Sequence, residues 1–524
     1  MRILPLVTCI TAASLLAACG GSSSSDSDST LDNARKLLNT NAEIAYAIYS
    51  DSVDTAKALQ TAINDLQVAA NAYKAATSNL ASAAATSDIP EFTALKNAHE
   101  AAKKAWLVAR EPYGQSEVYR FRNSPIDSTD YSSEDGPEGA INAWPLGEAL
   151  IDYVEIGGDF DNGQIDAATT LEGVGISTTV TMEGEERTLN VINAAHAQSN
   201  QHDNIIGRLE IDIEADENDD GLADILEASE AGDGRDVISG YHAIEFMLWG
   251  QDLKNNGDVT NGTDRDEAVK TQGAANLASG GQRGSYDFVE PTYGDRRLAF
   301  LKVVTAKLVA DLESVQAGWA PGASYRTSFT SVSNEAAAKG KITEILTGMA
   351  TLSQGELAGE RMQIAFADNS QEDEHSCFSD NTHRDIWLNA EGVSNSFHGQ
   401  YAGYDSDLNG TDDVTTRAVN GYGLNDFLTD EGKSALASEL SALLATTEVA
   451  YKSIDTKARA GEPVDVQIME GNNNTDTPMA NTILALTAQA NKIAEVATQL
   501  DINDPVLDPD GTACDTANPT STCD

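Results

Sequence analysis

His242 and Glu245 stand three residues apart in Gly240-Tyr241-His242-Ala243-Ile244-Glu245-Phe246-Met247-Leu248-Trp249-Gly250, a run that is otherwise almost wholly apolar. On a helix, positions i, i+3 and i+7 share a face, so His242, Glu245 and Trp249 point the same way. Val237, Ile238, Ala243, Ile244, Phe246, Met247 and Leu248 leave no broad polar face, which predicts a buried helix. An imidazole and a carboxylate are costly to bury unless each is hydrogen-bonded, ion-paired or bound to a metal. Three chemistries answer that demand. They are a metal site, a polar pocket for a substrate without metal, and a structural hydrogen-bond network that fixes helix packing.

Zincin-type hydrolysis needs two histidines one turn apart plus a general base, as in His-Glu-x-x-His, and the chain has no such sequence. His242 and Glu245 supply at most two ligands, so a catalytic metal would draw others from distant segments. Glu372, Asp373, Glu374, His375, Cys377, Asp380 and His383 fall within twelve residues, and their types suit zinc or iron. Their spacing matches no standard closed zinc site. The plainer reading there is a solvated acidic loop, with Ser379 or Asp380 capping a helix through Ile386 and Trp387. Glu360 with Arg361, and Arg110 with Glu117, are candidates for the compensating charges that a buried motif requires. His99, His196, His202 and His398 show no clear partners and read as surface or satisfied residues.

A separate signal runs from Asp216 to Glu227. It fits the calcium-loop pattern D-x-[DN]-x-[DN]-G-x5-E, with Asp216, Asn218, Asp220 and Glu227 as oxygen ligands and Gly221 at the turn. Asp405, Asp407 and Asn409, followed by Gly410, begin a second such loop over 405–416. Thr416 stands where the bidentate acid belongs, so this loop is the weaker Ca²⁺ candidate. In so acidic a chain such runs also arise by chance.

The elements that must hold these residues read as an all-α fold. Leu31–Ser87 is rich in alanine and leucine with heptad-like spacing. Helical patterns recur at Phe92–Phe121, Thr188–Leu209, Asp236–Trp249, Asp295–Ala317, Ser333–Ala367, Asp380–Asn389, Asp430–Lys457 and Asn481–Leu500. With few prolines and no sustained alternation, helical bundles are favoured. Gly175–Leu189 looks like a small β-hairpin insertion around Glu183-Gly184. The Gly-, Asn- and Asp-rich stretch 251–294 reads as a long loop between an N-terminal helical half (31–250) and a C-terminal half (295–500), with a tail at 501–524.

Met1-Arg2, an apolar segment and Leu16-Ala17-Ala18-Cys19 read as a secretory signal over 1–18, too short to span a membrane. The cysteine after Leu-Ala-Ala resembles a bacterial lipobox, which implies lipidation of Cys19 and attachment to a membrane. Residues 19–30 read as a flexible tether, and Gly20 after the cysteine favours the outer membrane. An ordinary signal peptide with an incidental cysteine is the alternative. Lys+Arg 33 against Asp+Glu 83 gives a net charge of −50, which argues against nucleic acid as a partner. The acidity suits a protein kept soluble in a salty medium, or one that attracts cations. Cys514 and Cys523 are placed to close a small loop in an oxidising compartment, leaving Cys377 over.

Gly240-Tyr241-His242-Ala243-Ile244-Glu245 matches the Gly-x-His-x-x-Glu pattern, and in it the chain resembles the imelysin-like proteins. The likeness extends through Leu253. Trp106–Tyr113 with Glu117–Phe121, and Asn142-Ala143-Trp144-Pro145-Leu146 followed by Ile151-Asp152-Tyr153, look like the same family. Gly355–Met362 and Ser376–His383 resemble its iron-regulated protein A branch. The resemblance implies a two-lobed, all-helical fold of bundle-like halves with the site near their junction. It also implies a role in bacterial iron acquisition beside partner proteins of an iron-uptake system. The expectation is a lipid-anchored protein of the cell envelope that binds iron or an iron-linked ligand at His242 and Glu245. Arg110, Glu117, Glu360, His375, Cys377 and His383 are the expected contributors. Two rivals stand beside it: a metallopeptidase using Glu245 as ligand or base, and a surface scaffold with calcium-stiffened loops. The enzyme is disfavoured by the lack of a second histidine one turn from His242, and the scaffold by the lack of repeats.

Overall fold

Leu37, Ile44, Ile48, Leu59, Ile63 and Leu66 form a buried stripe along one 55-residue helix, α1 (Ser23–Thr77), the longest element of the fold. The structure is a computed structural model that describes residues 23–78, 89–130, 136–142, 144, 146, 151–152, 177–182, 185–190, 205–206, 212–216, 223, 225–226, 237–250, 283–369, 373–469, 471–502 and 514–523. The signal segment, Cys19, Asn218, Asp220, Glu227 and Glu372 lie outside them, as do His196, His202 and most of the stretch read as the long loop. Helix α1 begins at Ser23, inside the segment expected to be a flexible tether. Extending a formed helix costs far less than starting one.

Helices α2 (Pro90–Gly114), α3 (Glu138–Ile141), α4 (Gly240–Trp249) and α5 (Gly294–Trp319) follow. Next come α6 (Ser324–Thr330) and α7 (Glu335–Thr351), the latter running on as a π-helix (Leu352–Gln363) into α8 (Ile364–Asp368). The chain ends with α9 (Thr382–His398), α10 (Leu424–Asp430), α11 (Ser434–Arg459), α12 (Val464–Ile468) and α13 (Pro478–Gln499). The all-α expectation holds, but the cap expected at Ser379 or Asp380 does not: α9 starts after Asn381, which makes no side-chain cap bond, and two other helix starts are capped by side chains. Asn334 caps α7 by accepting from Ala337 N at 3.0 Å, and Thr477 caps α13 ahead of Pro478. The helix expected over Asp430–Lys457 is α11, which starts four residues later, after a turn at Gly432 whose φ of 73° suits glycine.

The expected hairpin is present: β1 (Ser177–Met182) pairs antiparallel with β2 (Glu185–Asn190), Ser177 opposite Asn190. It overturns the start of the helix expected over Thr188–Leu209, because Thr188 to Asn190 pair with the threonine-rich β1. A second short pair joins β3 (Gln400–Tyr401) to β4 (Val419–Asn420). One apolar cluster draws on both halves, from Leu37 through Trp106, Phe246, Leu308 and Leu440 to Ile502. A smaller one gathers Leu357, Phe366, Ile386, Tyr451 and Leu486 around the π-helix, α9, α11 and α13. The C-terminal segment is closed by a Cys514–Cys523 disulfide and docks on the π-helix, where Gln363 Nε2 donates to three of its carbonyls. No described helix is long and apolar enough to cross a membrane.

Candidate functional site

Helix α4 is held by its first residues. Gly240 has φ 79°, and a Cβ there would lie 2.3 Å from the Ile141 carbonyl oxygen, so only glycine lets α4 start against α3. Trp106 Nε1 donates to the Tyr241 carbonyl at 2.8 Å, and Tyr241 Oη donates to the Ala109 carbonyl at 3.3 Å, tying α4 to α2. Every residue of α4 is buried, as its sequence predicts.

His242 and Glu245 meet each other. His242 Nδ1 lies 2.9 Å from Glu245 Oε2, while Glu245 Oε1 accepts from Ser379 N at 2.9 Å and Ser379 Oγ at 2.7 Å. A second imidazole is brought in from the 373–381 segment. His375 packs edge-on against His242 with ring centroids 4.6 Å apart, and its Nδ1 lies 2.8 Å from Asp385 Oδ2. The Nε2 atoms of both rings are buried and have no hydrogen-bond partner among the described residues. Trp144, half-buried, contacts His375 edge-on at 5.8 Å.

A buried polar network carries this pair. Asp385 Oδ1 accepts from Arg110 Nε at 3.2 Å and Nη2 at 3.0 Å, and Asp385 Oδ2 accepts from Ser376 Oγ at 2.5 Å. Arg110 also donates to Asn142, whose Nδ2 donates to Glu117 Oε1 at 3.2 Å. Glu117 Oε2 accepts from Arg361 and Arg120, each at 3.1 Å, and Arg361 donates to Asn389. The guanidinium of Arg110 also lies 4.9 Å from the Tyr241 ring centroid, a cation–π contact.

These surroundings set the charges. Burial opposes ionisation of Asp385, but Arg110 and His375 outweigh it and hold the carboxyl far below its usual range. Glu117 is likewise lowered to about 2, with Arg361, Arg120 and Arg110 overcoming burial. Among the described residues no guanidinium bonds to Glu245, and Arg110 lowers it only weakly. Burial pushes it up to about 8, and the bonds from Ser379 offset only part of that. Both imidazoles are held neutral, lowered to about 3, by burial first and then by Arg110 for His242 and Arg361 for His375.

Of the residues expected here, His242, Glu245, His375, Arg110 and Glu117 come together. Glu360 does not: it is exposed, and Glu356 approaches Arg361 at 3.5 Å and Arg120 at 3.6 Å instead. The reason is the winding. In a π-helix the repeat is i to i+5, which sets Glu356 rather than Glu360 over Arg361. His383 faces Asp455 at 2.8 Å on the other side of α9, and Cys377 lies in the main apolar cluster, outside any disulfide. His99 is a satisfied core residue, bonded to Ser285 Oγ and the Leu248 carbonyl. Asp385, Asn142 and Asn389 were missed. The sequence signal for Asp385 was indirect: a buried Arg110 demands an anion without saying which.

At the second loop, Asp405 accepts from Leu408 N at 2.7 Å and Gly410 N at 2.5 Å, and Asp407 from Asn409 N at 3.2 Å. The carboxylates there bind the loop's own amides. Among the described residues, no three His, Cys, Asp or Glu side chains converge as a ready metal cage. Asp216 is described, but Asn218, Asp220 and Glu227, the other expected ligands of its loop, lie outside the described residues.

The imelysin family model matches residues 45–493. Among solved structures, an iron-regulated protein A precursor from Parabacteroides distasonis is 14% identical, covering 87% of this chain and 95% of its own, with a TM-score of 0.40. An imelysin-like protein from Psychrobacter arcticum is 12% identical, covering 90% and 96%, with a TM-score of 0.42. No curated protein matches the sequence.

Proposed function

The chain belongs to the imelysin family, and from its buried imidazole pair we propose that it binds iron, or a ligand carrying iron, through Nε2 of His242 and His375. The observation that carries the reading is the pair of buried Nε2 atoms without partners, on rings whose Nδ1 atoms are each held by a carboxylate. Metal-ligating histidines are typically oriented this way, the far nitrogen bonded to a carboxylate that fixes tautomer and ring angle. Imidazole suits iron and zinc alike. Iron is preferred because Gly355–Met362 and Ser376–His383 resemble the iron-regulated branch of the family. Two nitrogens leave the rest of a coordination sphere to the incoming species, which favours a chelated metal over a bare ion.

In this reading Arg110 and Glu117 fix the carboxylate behind His375 and do not touch the metal. Attachment to the outer membrane through lipidated Cys19 completes the proposal and rests on the Leu16-Ala17-Ala18-Cys19 sequence. The peptidase rival needs a base free to reach water, and both Glu245 oxygens already have partners in Ser379 and His242. Elemental analysis decides. His242→Ala and His375→Ala are each expected to lower bound iron or zinc while circular dichroism stays unchanged. Undiminished metal in a folded double variant would overturn the reading. Cleavage of an unfolded-protein substrate that vanishes in Glu245→Ala would put the peptidase in its place.

A further inference from the structure

The first turn of α9 has two faces. Asp385 turns inward to His375 and Arg110, whereas Arg384 lies on a cavity of about 240 Å³. That cavity is bounded by α2, the 379–384 turn and the C-terminal end of α11, with Leu107, Leu408 and Pro463 on its wall. Three buried polar atoms of the lining residues have no hydrogen-bond partner among the described residues: Arg384 Nη1, Asn381 Nδ2 and Asp380 Oδ1. Arg384 is 4% exposed and Asn381 6%. Buried donors in native proteins are almost always satisfied, so these two ask for something that enters the cavity.

Arg384 is fixed for that role. Its Nε and Nη2 fork onto Glu111 at 2.9 and 2.6 Å, and its guanidinium lies 4.4 Å from the Trp387 ring centroid, leaving Nη1 to point elsewhere. The other basic side chains on the wall, His383 and Arg459, both face Asp455. The positive end of α9, a 17-residue helix, opens at the same place.

We propose that this cavity binds a small oxyanion, a carboxylate or phosphate group seated between Arg384 Nη1, Asn381 Nδ2 and the N-terminal turn of α9. Helix starts of this kind take anions readily when side-chain donors join the backbone. Asp380 does not oppose it. Burial, then Asp465 and Glu245, raise that carboxyl well above its usual range, so it offers a proton rather than a charge. The site is independent of the metal reading, because neither imidazole lines the cavity.

Calorimetric titration of the purified protein with sodium phosphate and with sodium acetate, at constant ionic strength in chloride, tests it. One of the two probes is expected to bind saturably with one-to-one stoichiometry, and the preferred probe assigns phosphate or carboxylate. Asn381→Asp puts a carboxylate where the amide donor stood and is expected to weaken binding at least about tenfold. Arg384→Lys keeps the charge, loses Nη1 and is expected to do the same; it decides alone if Asn381→Asp does not fold. No saturable heat from either probe up to about 10 mM would overturn the proposal, as would equal affinity in the wild type and both folded variants.

Discussion

His242–Glu245 and His375–Asp385 have nearly the same geometry and opposite electrostatics. Nitrogen to oxygen is 2.9 Å in one pair and 2.8 Å in the other, and all four side chains are at most 2% exposed. Asp385 is held ionised far below its usual range because Arg110 faces it, whereas Glu245, which besides His242 meets the Ser379 amide and hydroxyl, is pushed up to about 8 by burial. At Glu245 the two neutral donors from Ser379 do not offset the loss of water around the carboxylate, whereas at Asp385 the guanidinium does. The imidazoles therefore differ in tautomer. His375 gives its Nδ1 proton to an anion and keeps a lone pair on Nε2. Below about pH 8, Glu245 carries the proton, donates to His242 Nδ1 and leaves the ring proton on Nε2. The pair then presents one acceptor and one donor, and a metal entering it must displace the second proton.

The severest way to break the contrast is to remove its cause. Arg110→Met leaves Asp385 with neutral donors, as Glu245 already is. It is expected to cost about 3–5 kcal/mol in urea unfolding at pH 7. A loss under about 1 kcal/mol would mean that Arg110 does not set the charge of Asp385. The next test reads the metal. Asp385→Asn removes the fixed anion behind His375 and is expected to weaken metal affinity about 10–100-fold in competition titrations. Glu245→Gln resembles the protonated form already present at pH 7, so its effect should stay within about threefold. Equal losses would erase the difference between the two pairs.

Only one of the two pairs was legible in the sequence, and the reason is physical. His242 and Glu245 sit one turn apart on a single apolar helix, where the 3.6-residue period brings them together whatever the rest of the chain does. His375 and Asp385 are ten residues apart across a turn and the start of α9, so their meeting depends on how that turn folds. The same division runs through the fold. Helix α13, with its strong apolar period, was readable to within a few residues, whereas α1, expected over Leu31–Ser87, runs over Ser23–Thr77 and so is displaced at both ends. The π-helix was not, since nothing in Leu352–Gln363 announces the extra residue per turn that exchanges Glu360 for Glu356. His383 was a plausible ligand by type, but helical phase turns it to the face opposite Asp385's partners.

The pH dependence sharpens the comparison further. The folded pKa of Glu245, about 8, lies above its ordinary value of 4.5, so its contribution to stability is full below about 4.5 and is lost as pH rises towards 8. Asp385 runs the other way, its contribution present above 3.8 and lost only in acid. Both histidines, lowered from 6.5 to about 3, cost stability as pH falls below 6.5. Glu245→Gln removes one titration and leaves the others. Its stability relative to the wild type is therefore expected to rise with pH, by about 1 kcal/mol between pH 7 and 8. Urea midpoints across pH 5–9 check this, and parallel curves for the two proteins would place the Glu245 pKa elsewhere.

The smallest effect belongs to the two serines, which serve the two carboxylates in matching positions. Ser376 Oγ donates to Asp385 Oδ2 at 2.5 Å, and Ser379 Oγ donates to Glu245 Oε1 at 2.7 Å. A hydroxyl bonded to an ionised acceptor is worth roughly twice one bonded to a neutral carboxyl. Ser379→Ala is expected to cost about 0.5–1 kcal/mol at pH 7, since the Ser379 amide keeps its bond to the same oxygen. Ser376→Ala should cost about 1 kcal/mol more. Raising the pH above 8, where Glu245 ionises, should close that gap. A gap that stays open at pH 9 would show that the two carboxylates differ in something other than charge.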